Sequence, residues 1–473
     1  MWLQGRQTIF SEIVTVWVDF NAITQACFQN PVNPVQNNVA ILEQTDCVKA
    51  FYSAELKDLL LQYRKLRPQL SASELPSLLH FFGDKAQPFP YHPKPWDEAK
   101  HEPIVVLHSS GTTGRPKPIT YRNGFVQCPD SPWPEDLSPM NLFSQLDGGF
   151  CYSPVPSFHT GGFLLRTLYP TLFARCAVIM GPPATSSPSQ TARLAIQIIR
   201  QRNVRMITTP PLILEEITRT AGGIEALASL KFVGYGGAPL RKSLGDHLCV
   251  MGVQPLSIYG STEMGFLPLK SPSCREDWEY MQFPLDLEIR WDEFDASNGT
   301  YELCFTDAGG PAANELRSIH WSVQDDEWRS KDLFTRHPSA PEWWKFVGRK
   351  DDILVLGDGN NINPTAMEET LQSHPKVSSA LLAGENKWPP CVLIEPYDDV
   401  REGDVEAFRA VIQPAIDELN RLMRADHRIP DDHVLVLGSG SFVRNLKGGV
   451  MRSKTVLKYK EEIDGLYAKQ RST

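Results

Sequence analysis

The sequence contains no C-x-x-C pair. Its nine cysteines (Cys27, Cys47, Cys128, Cys151, Cys176, Cys249, Cys274, Cys304 and Cys391) are scattered and odd in number. That pattern supplies neither a zinc ribbon nor a disulfide framework and points to a reducing compartment. Long apolar runs are also missing. Near the start, Arg6, Glu12 and Asp19 interrupt the hydrophobic residues, so neither a signal-peptide core nor a bilayer-spanning segment is expected. Nor is there an excess of positive charge. A formal net charge of −9 over 473 residues gives nucleic acid or an anionic membrane no global attraction, so any anion site must be local. The expectation is a cytoplasmic protein without nucleic-acid or membrane partners.

What is present is ordinary globular composition, 41% apolar and 22% charged, in a chain longer than one hydrophobic core usually serves. Two unequal domains are expected. Short β-branched runs at Ile104 to Leu107, Cys176 to Met180, Val204 to Thr208 and Leu230 to Val233 read as strands, and Leu194, Ile198 and Ile199 give Thr191 to Arg202 a helical spacing. This alternation implies α/β layers with parallel strands. The texture changes near Gly348. Strands are expected at Ile353 to Leu356, Ser379 to Leu382, Cys391 to Ile394 and Val434 to Leu437, with helices at Pro364 to Ser373, Val405 to Met423 and Thr455 to Tyr467. The predicted architecture is a large α/β domain of layered sheets and helices over 1–347 and a small α+β C-terminal domain over 348–473.

The strongest chemical signal is HSSGTTGRPKPI, His108 to Ile119, directly after a predicted strand. Gly111 and Gly114 allow backbone N–H groups to turn inward on an anion. Ser109, Ser110, Thr112 and Thr113 add hydroxyl donors, and Lys117 adds a mobile positive charge. The string is suited to phosphate. It is not the P-loop of kinases and GTPases, whose lysine directly follows the second glycine, because Arg115 and Pro116 intervene. The bland alternative is a flexible Ser/Gly loop without chemistry.

With this loop, and with DDILVLGDGNNINPTAMEE (Asp351 to Glu369), the chain resembles the adenylate-forming superfamily: acyl-CoA synthetases, luciferases and peptide-synthetase adenylation domains. The resemblance runs from about Asn30 to the end, and is strongest to the adenylation domains of fungal synthetase-like enzymes and adenylate-forming reductases. It implies the adenylate-forming fold, a C-terminal domain that is hinged, ATP and Mg²⁺ as cofactors, and a small carboxylic acid as substrate. The acceptor it implies is CoA or a carrier-protein phosphopantetheine. A place in secondary-metabolite biosynthesis is a further expectation.

The resemblance also assigns roles. In YGSTEMG, Tyr259 would lie by the adenine, Thr262 would meet the α-phosphate, and Glu263 would serve as the metal ligand for Mg²⁺. Hard dications take carboxylate and phosphate oxygens, and adenine takes a flat apolar face, so the residue types suit those tasks. In GYGGAP, Tyr235, Gly236 and Gly237 would line the adenine and acyl pocket; a plain tight turn explains the glycines nearly as well. Asp332 of KDLF would accept from the ribose hydroxyls, although the family usually carries glycine where this chain has Lys331. Arg349 would reach ribose or phosphate, with Asp351 as hinge; the alternative is a solvated charge cluster. In VPSFHTGG, Phe158 and His159 stand where amino-acid activators carry an aspartate, so an aryl, keto or aliphatic acid is expected and not an α-amino acid. The alternative for His159 is a packed core histidine, the usual fate of a lone histidine.

A C-terminal lysine that neutralises charge during attack is the last implied part. In NLKGGVMR the candidate is Lys447, which precedes Gly448 where the family pattern has it follow, leaving Lys454 as a rival. Arg444, Arg452, Lys458 and Lys460 would on the bland reading form a solvated basic face. The region before the phosphate loop is shorter than the family's usual, so a shortened N-terminal subdomain is expected. No Gly-Gly-x-Ser carrier signature follows the C-terminal domain, which makes a separate carrier protein or downstream enzyme the expected partner. Two alternatives stay open: a non-catalytic nucleotide- or partner-binding scaffold, and a phosphotransferase. Acid-dependent release of pyrophosphate rather than ADP separates them.

Overall fold

The computed structural model describes residues 14–20, 23–31, 33–75, 94–109, 116–125, 149–168, 177–179, 187–267, 269–272, 275–283, 289–306, 327–444 and 448–470. Val204–Thr209 carries no charge except Arg205, as a strand covered on both faces requires, and it is central in a five-stranded sheet. The order is Pro255–Ile258, Phe232–Gly236, Val204–Thr209, Phe150–Tyr152, Ala177–Ile179, with all neighbours parallel. Parallel strands need crossovers, and the helix Pro188–Gln201 supplies one. Its start is written in the sequence: the Ser187 side chain accepts from Gln190 N–H, the Gln190 side chain answers Ser187 N–H, and Pro188 opens the first turn. Ala192, Ala195, Ile196 and Ile199 bury one face against the sheet side of the core.

A six-stranded sheet precedes this layer, in the order Ser71–Glu74, Lys49–Tyr52, Val14–Phe20, Ile23–Gln29, Pro103–Ser109, Lys117–Arg122. An antiparallel sheet follows it: Tyr280–Gln282, Trp343–Arg349, Glu327–Arg336, Thr300–Thr306, Ile289–Asp295. Beyond it, Val377–Ala383, Cys391–Pro396 and Val434–Val436 form a three-stranded sheet, covered by the helices Thr365–Gln372 and Val405–Leu422. The cores divide in the same way. Among the described residues, the hydrophobic clusters from Leu354 onward number two and those up to Phe346 number three, and none joins residues of both stretches.

Several expected elements shift. The helix expected at Thr191 to Arg202 spans Pro188–Gln201, its start set by the Ser187 cap. The strand expected at Leu230 to Val233 runs over Phe232–Gly236, because its register is set by parallel neighbours on both sides. The single last helix is two, Arg452–Lys458 and Lys460–Gln470, with Tyr459 (φ −107°) between them. Both Lys458 Nζ and Tyr459 Oη reach the Ser441 carbonyl, at 2.7 and 3.3 Å, and tie the break to the preceding loop. Cys27, Cys47, Cys151, Cys249, Cys304 and Cys391 are free thiols. Among the described residues no helix is long and apolar enough to cross a membrane.

Candidate functional site

Parallel α/β sheets leave their ligand crevice at the carboxyl ends of the strands. Tyr259 stands there, one residue after Pro255–Ile258. Its ring meets Phe283 and Phe334 edge-on, with centroids 6.0 and 5.4 Å away, so its orientation is set by aromatic packing. Its hydroxyl donates to Asp332 Oδ2 at 2.5 Å. Asp332 is fixed from behind, since its N–H donates to Ser330 Oγ at 3.0 Å and Ser330 donates to the Leu303 carbonyl at 2.7 Å. Burial pushes the Asp332 carboxyl up to about 6, although the Arg349 charge and the Tyr259 bond both favour its ionised form. Arg349 is its cross-strand partner, with Nε 3.6 Å from Oδ1. The antiparallel sheet thus brings Tyr259, Asp332 and Arg349 together from three separate stretches of sequence.

The departure at Lys331 has a structural counterpart. Lys331 holds a left-handed backbone, φ +62°, which glycine adopts freely and lysine adopts at roughly 1 kcal/mol. Its Nζ reaches both carboxylate oxygens of Asp351, at 3.1 and 3.2 Å. Asp351 sits in the short turn Lys350–Asp352 after the strand Trp343–Arg349.

At the Gly/Thr loop, Ser109 and Lys117 face each other in register and flank its two ends. Ser110, Gly111, Thr112, Thr113 and Gly114 lie outside the described residues. Ser109 is half-buried and Lys117 is exposed. His108, one residue before, is buried with its Nε2 unpartnered, and burial lowers it to about 4, so it is neutral. Thr262 and Glu263 occupy the turn of the small hairpin that pairs Ser261 with Gly265, and both are half-buried. No cation pairs with Glu263 among the described residues. A half-buried carboxylate so placed suits a hard dication, and its charge is felt at both Asp332 and Tyr121.

Gly236 and Gly237 end the strand Phe232–Gly236; a Cβ on Gly236 would fall 2.5 Å from the Ile258 carbonyl, and Gly237 takes φ +83°. Close backbone approach therefore holds this turn in shape. Tyr235 departs from expectation. Alternation turns its ring away from the Gly234/Gly236 face into the helix-side core, where it is 5% exposed and edge-on to Trp278 at 6.0 Å. It does not wall a pocket on the glycine face. Phe158 is buried and lies 5.0 Å from the half-buried His159 ring.

Three residues escaped sequence reasoning. Arg166 is 6% exposed and donates to the Val155 carbonyl at 3.0 Å, bracing the Val155 to Gly162 segment from behind. A lone arginine in FLLRTL was the available signal. Thr208, next to the end of the strand Val204–Thr209, has a buried, unpartnered Oγ1. Tyr121 donates to the Thr262 carbonyl at 2.5 Å. Nothing local in the sequence marks either of the last two.

The C-terminal unit meets the preceding unit at Gly448. Lys447 lies outside the described residues, but the adjacent Gly448 packs so tightly that a Cβ there would be 2.1 Å from Leu212 Cδ2. Leu212 is in the first turn of the helix Pro211–Arg219, which begins just after the central strand Val204–Thr209 ends. Lys454 is exposed on Arg452–Lys458. Of the surrounding basic residues, Arg444 and Arg452 are half-buried in ion pairs, whereas Lys458 and Lys460 are exposed. Arg444 binds the fully buried Glu395 and Ser379, Arg452 binds Glu368 at 2.6 Å, Lys458 holds a carbonyl and Lys460 pairs with Asp464 at 2.5 Å. A second contact is made by Arg241, which donates to the Gln372 carbonyl (2.6 Å), Tyr397 Oη (3.2 Å) and Glu215 (2.5 Å). Tyr397 also bonds Glu215, and Arg219 stacks 3.5 Å over its ring.

This arrangement, an aromatic and carboxylate seat around Tyr259 and Asp332, occurs in a chain that matches sequence families of known character. The family model for AMP-binding enzymes matches residues 23–282, and that for the AMP-binding enzyme C-terminal domain matches residues 351–471. The chain belongs to the AMP-binding enzyme family, the adenylate-forming ligases. It is 31% identical over 454 residues to a carboxylic acid reductase of Neurospora crassa, covering 94% of this chain and 42% of that protein. It is 28% identical over 465 residues to an adenylate-forming reductase of Serpula lacrymans, covering 93% and 41%. The chain therefore spans about two fifths of these relatives' length. Among solved structures it superposes on the o-succinylbenzoate coenzyme A synthetase of Bacillus subtilis in complex with AMP, with TM-score 0.65, 18% identity and coverage of 91% and 82%. It also superposes on ATP-bound MatB of Rhodopseudomonas palustris, with TM-score 0.67, 16% identity and coverage of 92% and 84%. At these identities the superpositions establish the fold.

Proposed function

We propose that the chain activates a carboxylic acid as its acyl-adenylate with release of pyrophosphate, and that the acyl group then passes to a thiol of CoA or of a separate carrier protein's phosphopantetheine. The observation that carries the reading is the convergence of Tyr259, Asp332 and Arg349 beside the turn that contains Asp351. In this reading Tyr259 offers its face to the adenine and Asp332 accepts from the ribose hydroxyls. Arg349 bridges ribose and phosphate. The loop between Ser109 and Lys117 cradles the leaving phosphates with backbone N–H groups and the lysine charge, and Thr262 donates to the α-phosphate. Glu263 would hold Mg²⁺, which when bound supplies positive charge to the phosphate oxygens. These residues align the acid with the α-phosphorus and neutralise charge; no covalent intermediate with the protein is needed.

The contact of Gly448 with Leu212 supports Lys447, rather than the exposed Lys454, as the lysine that faces the reacting atoms. The same lysine would obstruct a pantetheine arm, so the units 1–347 and 348–473 must change orientation between the two half-reactions, with Asp351 as the pivot. Proline at 351 should spare acyl-AMP formation and impair thioester formation; equal loss in both would point to a static C-terminal unit. As for the acid, the buried Phe158 provides no carboxylate for a substrate ammonium, and an unpaired buried ammonium is costly. An aryl, keto or aliphatic acid fits better than an α-amino acid.

The test is Mg²⁺-dependent ATP–pyrophosphate exchange across a panel of acids. Release of ADP, or exchange indifferent to acid, would overturn the reading. An amino acid that outperforms its deaminated analogue would overturn the substrate class.

A further inference from the structure

Tyr121 lies on the strand Lys117–Arg122, on the same face as Lys117 and Ile119 by strand alternation, and is fully buried. Its hydroxyl donates to the Thr262 carbonyl at 2.5 Å, and its oxygen lies 3.5 Å from Thr160 Oγ1. The other end of that same peptide is held too, since Glu263 N–H donates to Ser261 Oγ at 3.2 Å. The Thr262–Glu263 peptide, whose two side chains the reading above assigns to the α-phosphate and Mg²⁺, is thereby fixed at both its polar atoms. Aromatic packing backs the arrangement. Phe125 meets Tyr121 edge-on at 4.8 Å, and a Cβ on Gly265, at the far side of the turn, would fall 2.8 Å from the Phe125 ring.

We propose that Tyr121 is a positioning residue for adenylation: it locks the Thr262–Glu263 peptide to the strand leaving the phosphate loop, so that both ends of the triphosphate are met by one rigid unit. The inference rests on the adenylation reading above. A buried carbonyl deprived of its donor seeks another partner, and rotation of this peptide would swing Thr262 Oγ1 and the Glu263 carboxylate off their targets. Such misplacement is felt where charge develops, in the transition state, more than in ground-state binding.

The experiment compares unaltered protein with Tyr121→Phe, Ser261→Ala and the double variant in acid-driven ATP–pyrophosphate exchange, titrating ATP, acid and Mg²⁺. Ile41→Val, in the separate N-terminal core, serves as a control for lost packing. Tyr121→Phe is expected to lower kcat roughly ten- to a hundredfold, to raise the Mg²⁺ concentration needed for half-maximal rate, and to leave KM for ATP and acid within about twofold. Because either loss frees the same peptide, the double variant should fall short of the product of the single effects. A purely structural tyrosine would lower Tm as Ile41→Val does while keeping kcat and the Mg²⁺ dependence; that result, or fully multiplicative effects, would overturn the inference. Absence of acid-driven exchange in the unaltered protein would instead overturn the adenylation reading, and this inference with it.

Discussion

The seat around Tyr259 and the face that meets the C-terminal unit are built from opposite materials. Around Tyr259 lie Phe283, Phe334 and a buried carboxylate, closely packed. At the other face, Glu215, Arg219, Arg241 and Tyr397 form a hydrogen-bonded and stacked knot beside a cleft of about 210 Å³ lined by His247, Gln372 and His374. An apolar seat is preorganised and stays put. A polar interface can part, because water replaces each of its hydrogen bonds at modest cost. The contrast suits a nucleotide held in one place while the C-terminal unit takes more than one orientation.

The sharpest break in this comparison is at Lys447. Lys447→Ala should reduce acid-driven pyrophosphate exchange by about a hundredfold or more, with Tm unchanged, while Lys454→Ala stays near the unaltered rate. The reverse outcome would move the charge to the exposed helix.

Next comes the seat itself. Asp332→Asn keeps the shape but removes the acceptor charge, and KM for ATP should rise roughly tenfold. Its folded carboxyl titrates near 6, above the unfolded value of 3.8, so the folded chain binds a proton that the unfolded chain releases across that window. Stability therefore falls as pH rises from about 4 to about 6, by on the order of 1–3 kcal/mol. Denaturant unfolding across that range should show the slope in the unaltered protein and a flatter profile in Asp332→Asn. An identical slope in both would assign the titration elsewhere.

A smaller effect is expected at the polar face. Tyr397→Phe removes a hydroxyl shared by Glu215 and Arg241, worth about 1 kcal/mol of contact between the units. Limited proteolysis around 349–353 should quicken several-fold while the large unit's own melting is unaffected; unchanged cleavage would mean that the knot does not hold the units together. The smallest effect is at Lys331. Glycine there relieves the left-handed backbone by roughly 1 kcal/mol but gives up an exposed ion pair to Asp351 worth about 0–1 kcal/mol. Denaturant midpoints should barely move, and a large loss would show that the ion pair is far stronger than its exposure suggests.

Local pattern determined much of this protein. The β-branched run at Val204–Thr209, the Ser187 capping box and the helix Val405–Leu422 follow from residues a few positions apart, and so do the glycines and hydroxyls that mark the phosphate loop. Tyr259, Asp332 and Arg349 were each legible within a short motif of their own, because each motif is contiguous in the sequence. What only the tertiary structure decided is which partners those residues meet. Tyr235 looked like a pocket residue and is core, since strand register chooses which face a side chain takes. Arg444 and Arg452 looked like a solvated basic face and instead neutralise the buried Glu395 and Glu368, an outcome set by strands and a helix that are 49 and 84 residues away. Tyr121 gave no signal at all; it acquires a task only when the fold sets its hydroxyl against a carbonyl 141 residues further along. Hydrogen-bond satisfaction in a buried site is a property of the packed whole, and a sequence read one segment at a time does not contain it.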